Sequence, residues 1–332
     1  MVMLKNLKQN SFKIFIFSCT IYLSNVLVAQ EKESMKYGVE ISTDNDAIGI
    51  WKNLDRYYSF GIGVKFYVKS KKFIGLENLF SNKEQYFFDI ELRSEGYTPT
   101  RKSYTISEVQ NDSLEFERPF AGLLFGTLGA TYTFDRSFIR TELILGIMGP
   151  SAKTEEIQNW FHSQLEDSDE IEGWEFQIPD QALINLNVSG VYDFYLNSQV
   201  FDVFAMAEAR LGNLYIDATP TLGIRLGKFG DISQSSAFKN DILASINMRE
   251  IYLKSTISGT LTAFNGTAQG NLFGPEFKYA VKDLSHFHTT LSNGLYIATK
   301  RFIFSFENIF TFNKVNKRTT HIFGKATVRY KF

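Results

Sequence analysis

From Ile322 to Phe332 the chain alternates without a break. Ile322, Gly324, Ala326, Val328, Tyr330 and Phe332 share one face, and Lys325, Thr327, Arg329 and Lys331 share the other. A period of two marks an extended strand, because successive side chains point to opposite sides. Tyr58, Phe60, Ile62, Val64, Phe66 and Val68 alternate in the same way with Ser59, Gly61, Gly63 and Lys65. The run is about ten residues long, the length of a tilted strand that crosses a bilayer. Tyr86, Phe88, Ile90 and Leu92 are interleaved with Asp89, Glu91 and Arg93. A soluble sandwich also alternates, but its enclosed face rarely holds so many carboxylates. The pattern predicts an all-β fold, a transmembrane antiparallel β-barrel with apolar faces toward lipid. Asp89, Glu91 and Arg93 then point inward and neutralise one another.

Further strand candidates begin near Tyr37, Phe120, Phe138, Leu183, Val200, Thr219, Leu243, Ile257, Phe273, Thr289 and Phe302. That is more than can be numbered securely, and an even count near twelve fits a mature chain of roughly 300 residues. In a barrel of that size side chains can fill the lumen, which argues against an open porin. Composition agrees: aromatics make up 15% of the residues, with 32 Phe and 16 Tyr, yet mean hydropathy is -0.14. A wall with one aromatic apolar face and one polar face has this balance. A formal charge of -1 gives no sign of a nucleic-acid partner.

Residues 1–30 read as a signal peptide. Lys5, Lys8 and Lys13 precede the apolar run Ile14 to Val28, which ends at Ala29-Gln30 before Glu31-Lys32-Glu33. Cys19, the one cysteine, lies inside that leader, so disulfides and thiol chemistry are not expected of the mature chain. Beyond the leader no run of eighteen apolar residues remains, which excludes helical spans. Residues 31–332 then form one barrel domain in the bacterial outer membrane, with no linker or repeat to divide it.

Gly149 to Gln177 is too long for a simple turn and falls between two alternating segments, where loops of such length tend to carry function. Ile157, Trp160, Phe161 and Leu165 recur at helical spacing, with Glu155, Gln158, Asn159, His162 and Glu166 on the other face. A short helix in a rim loop is expected, packing through its apolar stripe and presenting its polar face. At the end of the first alternating segment stands Asp44-Asn45-Asp46, with Asp46 on the inward side, and Ser59 also points inward. Asn, Asp and Ser oxygens are hard ligands suited to Ca²⁺, and a neutral imidazole such as His162 is a base poised near neutral pH. A cation that polarises an ester beside a base that deprotonates water makes an ester hydrolase. A catalytic Ser with a His is the competing arrangement. His286, His288 and His321 have no carboxylate at useful spacing and read as structural.

Several short motifs stand in a telling order: Asp55 to Gly61, Tyr97-Thr98-Pro99, Phe116 to Gly122, Gly149-Pro150 with Gln158 and His162, and Gly173 to Gln177. With Arg210 to Asn213 and Gln269 to Phe273, the chain resembles the outer-membrane lipid A 3'-O-deacylases. The resemblance implies a twelve-stranded barrel whose site near the extracellular rim removes the 3'-linked acyl chain from lipid A with Ca²⁺. By the same resemblance His162 matches the base that activates water, Asn45 and Asp46 match an Asn-Asp pair at the end of the first strand, and Ser59 matches a hydroxyl residue. Where that family carries a metal-binding Glu six residues beyond the histidine, this chain has Ser168. Glu166, Asp167 and Asp169 are the neighbouring carboxylates available as ligands. The family's functional Lys, in the loop after Tyr97-Thr98-Pro99, is matched by Lys102 or Arg101. The implied partners are lipid A, or lipopolysaccharide, and outer-membrane lipid, met by a monomer. Two other readings of the residues are an outer-membrane phospholipase and a non-catalytic barrel, either a small pore or a structural protein.

Overall fold

The computed structural model describes residues 35–45, 48, 58–99, 118–163, 173–194, 200–245, 247–315 and 320–332. Twelve strands close into one antiparallel barrel, each paired with its neighbours in the chain and the first with the last. They are β1 (Tyr37–Asn45), β2 (Phe60–Val68), β3 (Gln85–Tyr97), β4 (Ala121–Phe134), β5 (Ser137–Met148), β6 (Gln181–Asp193), β7 (Phe201–Gly212), β8 (Tyr215–Lys228), β9 (Glu250–Asn265), β10 (Phe287–Ala298), β11 (Phe302–Phe312) and β12 (Thr320–Lys331). The seam pairs Gly38 with Lys331 and Asn45 with Gly324. Among the described residues two α-helices, α1 (Thr154–His162) and α2 (Gly266–Gln269), lie between β5 and β6 and between β9 and β10. Both follow strands that run away from the chain termini, so both belong to the opposite end, here called the rim. Residues 1–30, expected as a signal peptide, lie outside the described residues.

The alternation sets the orientation of almost every strand. Ile41, Ile62, Val64, Leu92, Ile184, Leu222, Leu253 and Leu261 are each between 47% and 61% exposed on the outer wall. Their sequence neighbours Glu40, Ser42, Lys65, Arg93, Asn185, Thr221, Tyr252 and Thr260 are buried in the lumen. Soluble cores invert this order; a barrel in lipid requires it. At the terminal end, Tyr37 lies 5.8 Å from both Phe66 and Phe332, and Phe302 lies 4.9 Å from Tyr330. These rings form part of an aromatic girdle at one membrane interface.

Four expectations change. Tyr58 does not join the lipid face: it precedes β2, and its ring turns inward so that the hydroxyl donates to Asp44 at 2.8 Å. The inward charges do not neutralise one another directly. Lys65 lies 3.1 Å from Asp89 and 3.0 Å from Glu91, while Arg93 pairs with Asp44 and with Glu95. Of the strand candidates, Leu243 is in a short 3-10 turn and Phe273 in a rim loop. Thr219 and Ile257 fall inside β8 and β9 rather than at their starts.

The Leu243 turn explains how the lumen is closed. Side chains do not fill the terminal half alone: the β8–β9 connection, residues 229–249, folds back into the barrel. Ile232 and Phe238 pack against Phe138, Val191 and Phe204, and Ile242 and Leu243 against Tyr67 and Phe87. Buried plug atoms are bonded to the wall. Gly230 and Ser236 donate their amides to Glu250 at 2.7 and 2.8 Å, and Ala237 donates its amide to the Tyr252 hydroxyl at 2.8 Å. Lys239 reaches Glu40 at 2.9 Å, and Asp241 pairs with Arg329. Apolar contact and paired charge thus compensate the desolvation of this loop. The intact barrel is expected to carry no ion current in a planar bilayer. Replacing residues 231–245 with a short Gly-Ser linker is expected to open a conductance, which single-channel recording measures directly.

Candidate active site at the barrel rim

The β5–β6 connection begins with Gly149, held at a φ of 114°. A Cβ there would stand 2.7 Å from the Asp180 backbone, so only glycine lets the two ends of the loop approach. Ser151 closes the neck by donating its amide and hydroxyl to Asp180 at 2.8 and 2.7 Å. These bonds hold the Asp180 carboxyl below its ordinary range. Helix α1 follows, with Glu155 and Glu156 in its first turn and His162 in its last, both suited to the helix dipole.

The helix is seated opposite to its sequence expectation. Thr154 and Gln158 are its buried residues, whereas Trp160 is 56% and Phe161 50% exposed. The polar Thr154 and Gln158 face the barrel, Trp160 and Phe161 face out beside the exposed Glu156, and Ile157 is half-buried. Gly122 on β4 permits this: a Cβ there would meet the Thr154 side chain at 2.6 Å. Gly122 has the parity of Leu128, 42% exposed on the outer wall, so the helix rests on the outside of the rim. Trp174 is fully buried, lies 5.3 Å from Phe120 and donates its indole N–H to Gln158 at 2.9 Å. Gly122 of one motif and Trp174 of the other therefore meet α1 at Thr154 and Gln158.

One helical turn separates Gln158 from His162, as it separates Thr154 from Gln158, so these three residues share the barrel-facing side. Along the same seam, Thr154 Oγ1, Asn159 Oδ1 and the Ser94 hydroxyl of β3 are buried without a hydrogen-bond partner. Buried oxygens without donors are costly unless a cation, water or substrate meets them. Ser59 is buried beside this region, where its hydroxyl shares a 2.6 Å hydrogen bond with that of Thr98. Asn45 ends β1, opposite Phe60 of β2. Asp46, Arg101, Lys102, Glu166, Asp167 and Asp169 lie outside the described residues. Among the described residues no group of three His, Cys, Asp or Glu side chains is gathered to hold a metal. The oxygens that are present, on Asn45, Asn159, Thr154 and Ser94, are hard donors that suit Ca²⁺ by type. Sequence reading passed over Thr154, Asn159 and Ser94, and nothing in their spacing separates them from ordinary surface polar groups.

Beneath the mouth, Tyr58, Tyr97, Arg118, Thr311, Lys314, Val315 and His321 line a cavity of about 10 Å³, the size of one water. Arg118 spans it, stacking 4.5 Å over Tyr97 and donating to the Thr267 carbonyl of α2 at 2.8 Å. Burial, together with Arg210 and Arg118, pushes the Lys314 ammonium down to about 8. Of the remaining histidines, His286 sits 2.8 Å from the Thr262 carbonyl, His288 is buried at the start of β10, and His321 stacks on Phe323 at 5.3 Å.

The family description "Outer membrane protein LpxR" matches residues 14–332. The chain belongs to the LpxR family. Its barrel is also similar to that of LpxR from Salmonella typhimurium, with a TM-score of 0.68 at 15% identity over 89% of this chain and 100% of that one. The β domain of the Bordetella autotransporter BrkA gives a TM-score of 0.46 at 10% identity, covering 90% of this chain and 100% of that domain. No curated protein matches the sequence. Family membership places the barrel in the outer membrane.

Seating of α1 on Gly122 has a direct test. Gly122→Val is expected to push Thr154 away and unseat the helix while leaving the ladders of β4 intact. Hydrogen exchange should quicken over residues 154–162 and stay slow in the strands.

Proposed function

We propose that this protein is a lipid A deacylase that hydrolyses the 3'-linked acyl, or acyloxyacyl, ester in the outer leaflet. The observation that carries the reading is the inverted helix: His162 lies on the polar side of α1 turned to the outer wall, where a lipid ester can arrive without entering the lumen. A water between helix and wall meets an imidazole that accepts its proton and returns it to the departing sugar oxygen. Asn45 and one of Glu166, Asp167 and Asp169 would hold Ca²⁺, with the Asn159 oxygen a further donor facing the same seam, and Asp46 would act beside His162 in catalysis. When bound, the cation supplies positive charge to the ester carbonyl, a contribution of several kcal/mol to such reactions. Lys102 or Arg101, in the loop after β3, would meet a lipid A phosphate.

Two observations weigh against the other readings. The Ser59 hydroxyl is hydrogen-bonded to that of Thr98 at 2.6 Å, whereas a phospholipase nucleophile needs a base within reach. Ile232, Phe238, Ile242 and Leu243 of the plug pack inside the lumen, where a pore would need an aqueous path.

Mass spectrometry of lipid A from membranes holding the protein tests the proposal. Loss of a 3'-linked acyl mass that stops on chelation and returns with calcium is expected; unchanged lipid A beside a folded barrel rejects it. His162→Ala should slow deacylation by about 10²–10⁴-fold with the barrel intact. Ser59→Ala should cost at most about tenfold, near the worth of one hydrogen bond. A complete loss in Ser59→Ala would instead point to a serine ester mechanism.

A further inference from the structure

A helix whose apolar side faces outward from a protein surface is unstable in water and stable at a membrane interface. In α1 the outward residues are Trp160, 56% exposed, and Phe161, 50% exposed. The seat of the helix fixes its height on the wall. Gly122 stands four residues along β4 from Gly126, or about 13 Å at the rise of a strand. Gly126 belongs to a row that runs Leu92, Gly126, Leu145, Ile184 across β3 to β6. Leu92, Leu145 and Ile184 in that row are 61%, 46% and 58% exposed, which places it in the lipid-facing belt. One outward row lies between belt and helix: Ser94, Leu124, Ile147 and Ala182. The helix therefore continues the lipid-facing wall upward to the depth where headgroups meet acyl chains. Tryptophan favours that depth.

We propose that α1 is an interfacial lipid contact, with the Trp160–Phe161 edge inserted among the outer-leaflet acyl chains while the edge that carries His162 faces the barrel. The occupant of this surface is the acyl layer itself, because the exposed rings are continuous with a belt that lipid already covers. The outward side also carries one charged pair: Glu156, one turn before Trp160 on the same side of the helix, is exposed and lies 2.9 Å from Lys153 at the helix start, so the rings rather than the whole face make the apolar contact. Insertion explains why the sequence places Trp-Phe immediately before His162: the rings fix the imidazole at the height of the ester linkages, just above the chains they acylate. That last consequence rests on the proposed deacylase reading, whereas insertion does not.

The experiment uses the full chain reconstituted in phosphatidylcholine vesicles. Acyl-chain-brominated phosphatidylcholine is expected to quench part of the tryptophan emission, and Trp160→Phe should remove that part, with Trp174 shielded behind the helix. With Cys19→Ser as background, a fluorophore on Phe161→Cys should be quenched at least about twofold more by the brominated lipid than one on Glu276→Cys in the rim loop between β9 and β10, and aqueous iodide should reverse the order. Equal iodide quenching at the two positions, with lipid quenching unchanged in Trp160→Phe, overturns the proposal. No readout depends on turnover, so insertion stands or falls apart from the assignment of the ester.

Discussion

Hydrocarbon offers no hydrogen bond, so every backbone N–H and C=O of a spanning segment must find its partner within the protein. Everything here depends on closing that account at one seam, where β1 meets β12. Once the ring is closed, the outer wall must be apolar and the inner wall is free to be polar. The lumen uses that freedom heavily: Lys65 among Asp89 and Glu91, Arg93 with Asp44 and Glu95, and Arg225 with Asp202 are all removed from water. Each charge is costly alone and tolerable in pairs. Closure therefore precedes chemistry, because it defines an outside wall on which a lipid-facing site can be built.

The barrel was legible because period-two alternation is a one-dimensional signal and the pleat carries it into space without ambiguity. Ile62, Val64 and Phe66 face out as their spacing requires. Tyr58 broke the rule because it lies before the strand, where no ladder holds its direction and a carboxylate within reach does. The Leu243 segment was read as a strand from its apolar content, yet it is apolar because it packs against Tyr67 and Phe87 inside the lumen. Apolar content reports burial and leaves the manner of burial open.

Helix α1 shows the same ambiguity in a sharper form. Its periodicity was plain, and His162, Gln158 and the motifs that hold Gly122 and Trp174 stood out in the sequence. Which face packs was not legible, because an amphipathic pattern says only that two surroundings differ. In water the apolar stripe turns inward; beside a bilayer the preference reverses. The deciding residues are remote in the chain: Gly122, which leaves room for Thr154, and Trp174, which bonds Gln158. The Ser59 hydroxyl likewise gave no hint of Thr98, since that contact exists only once β2 and β3 are paired.

The luminal plug bears on how such a ring is completed. Pairing Gly38 with Lys331 joins the two ends of the barrel chain, the most distant contact in the sequence and the one with the greatest loop entropy to overcome. The plug springs from a local hairpin, β8 and β9, yet Lys239 holds Glu40 on β1 and Asp241 holds Arg329 on β12. One short segment thus bridges both edge strands, so the register of the seam is fixed from inside the lumen as well as by its own ladder.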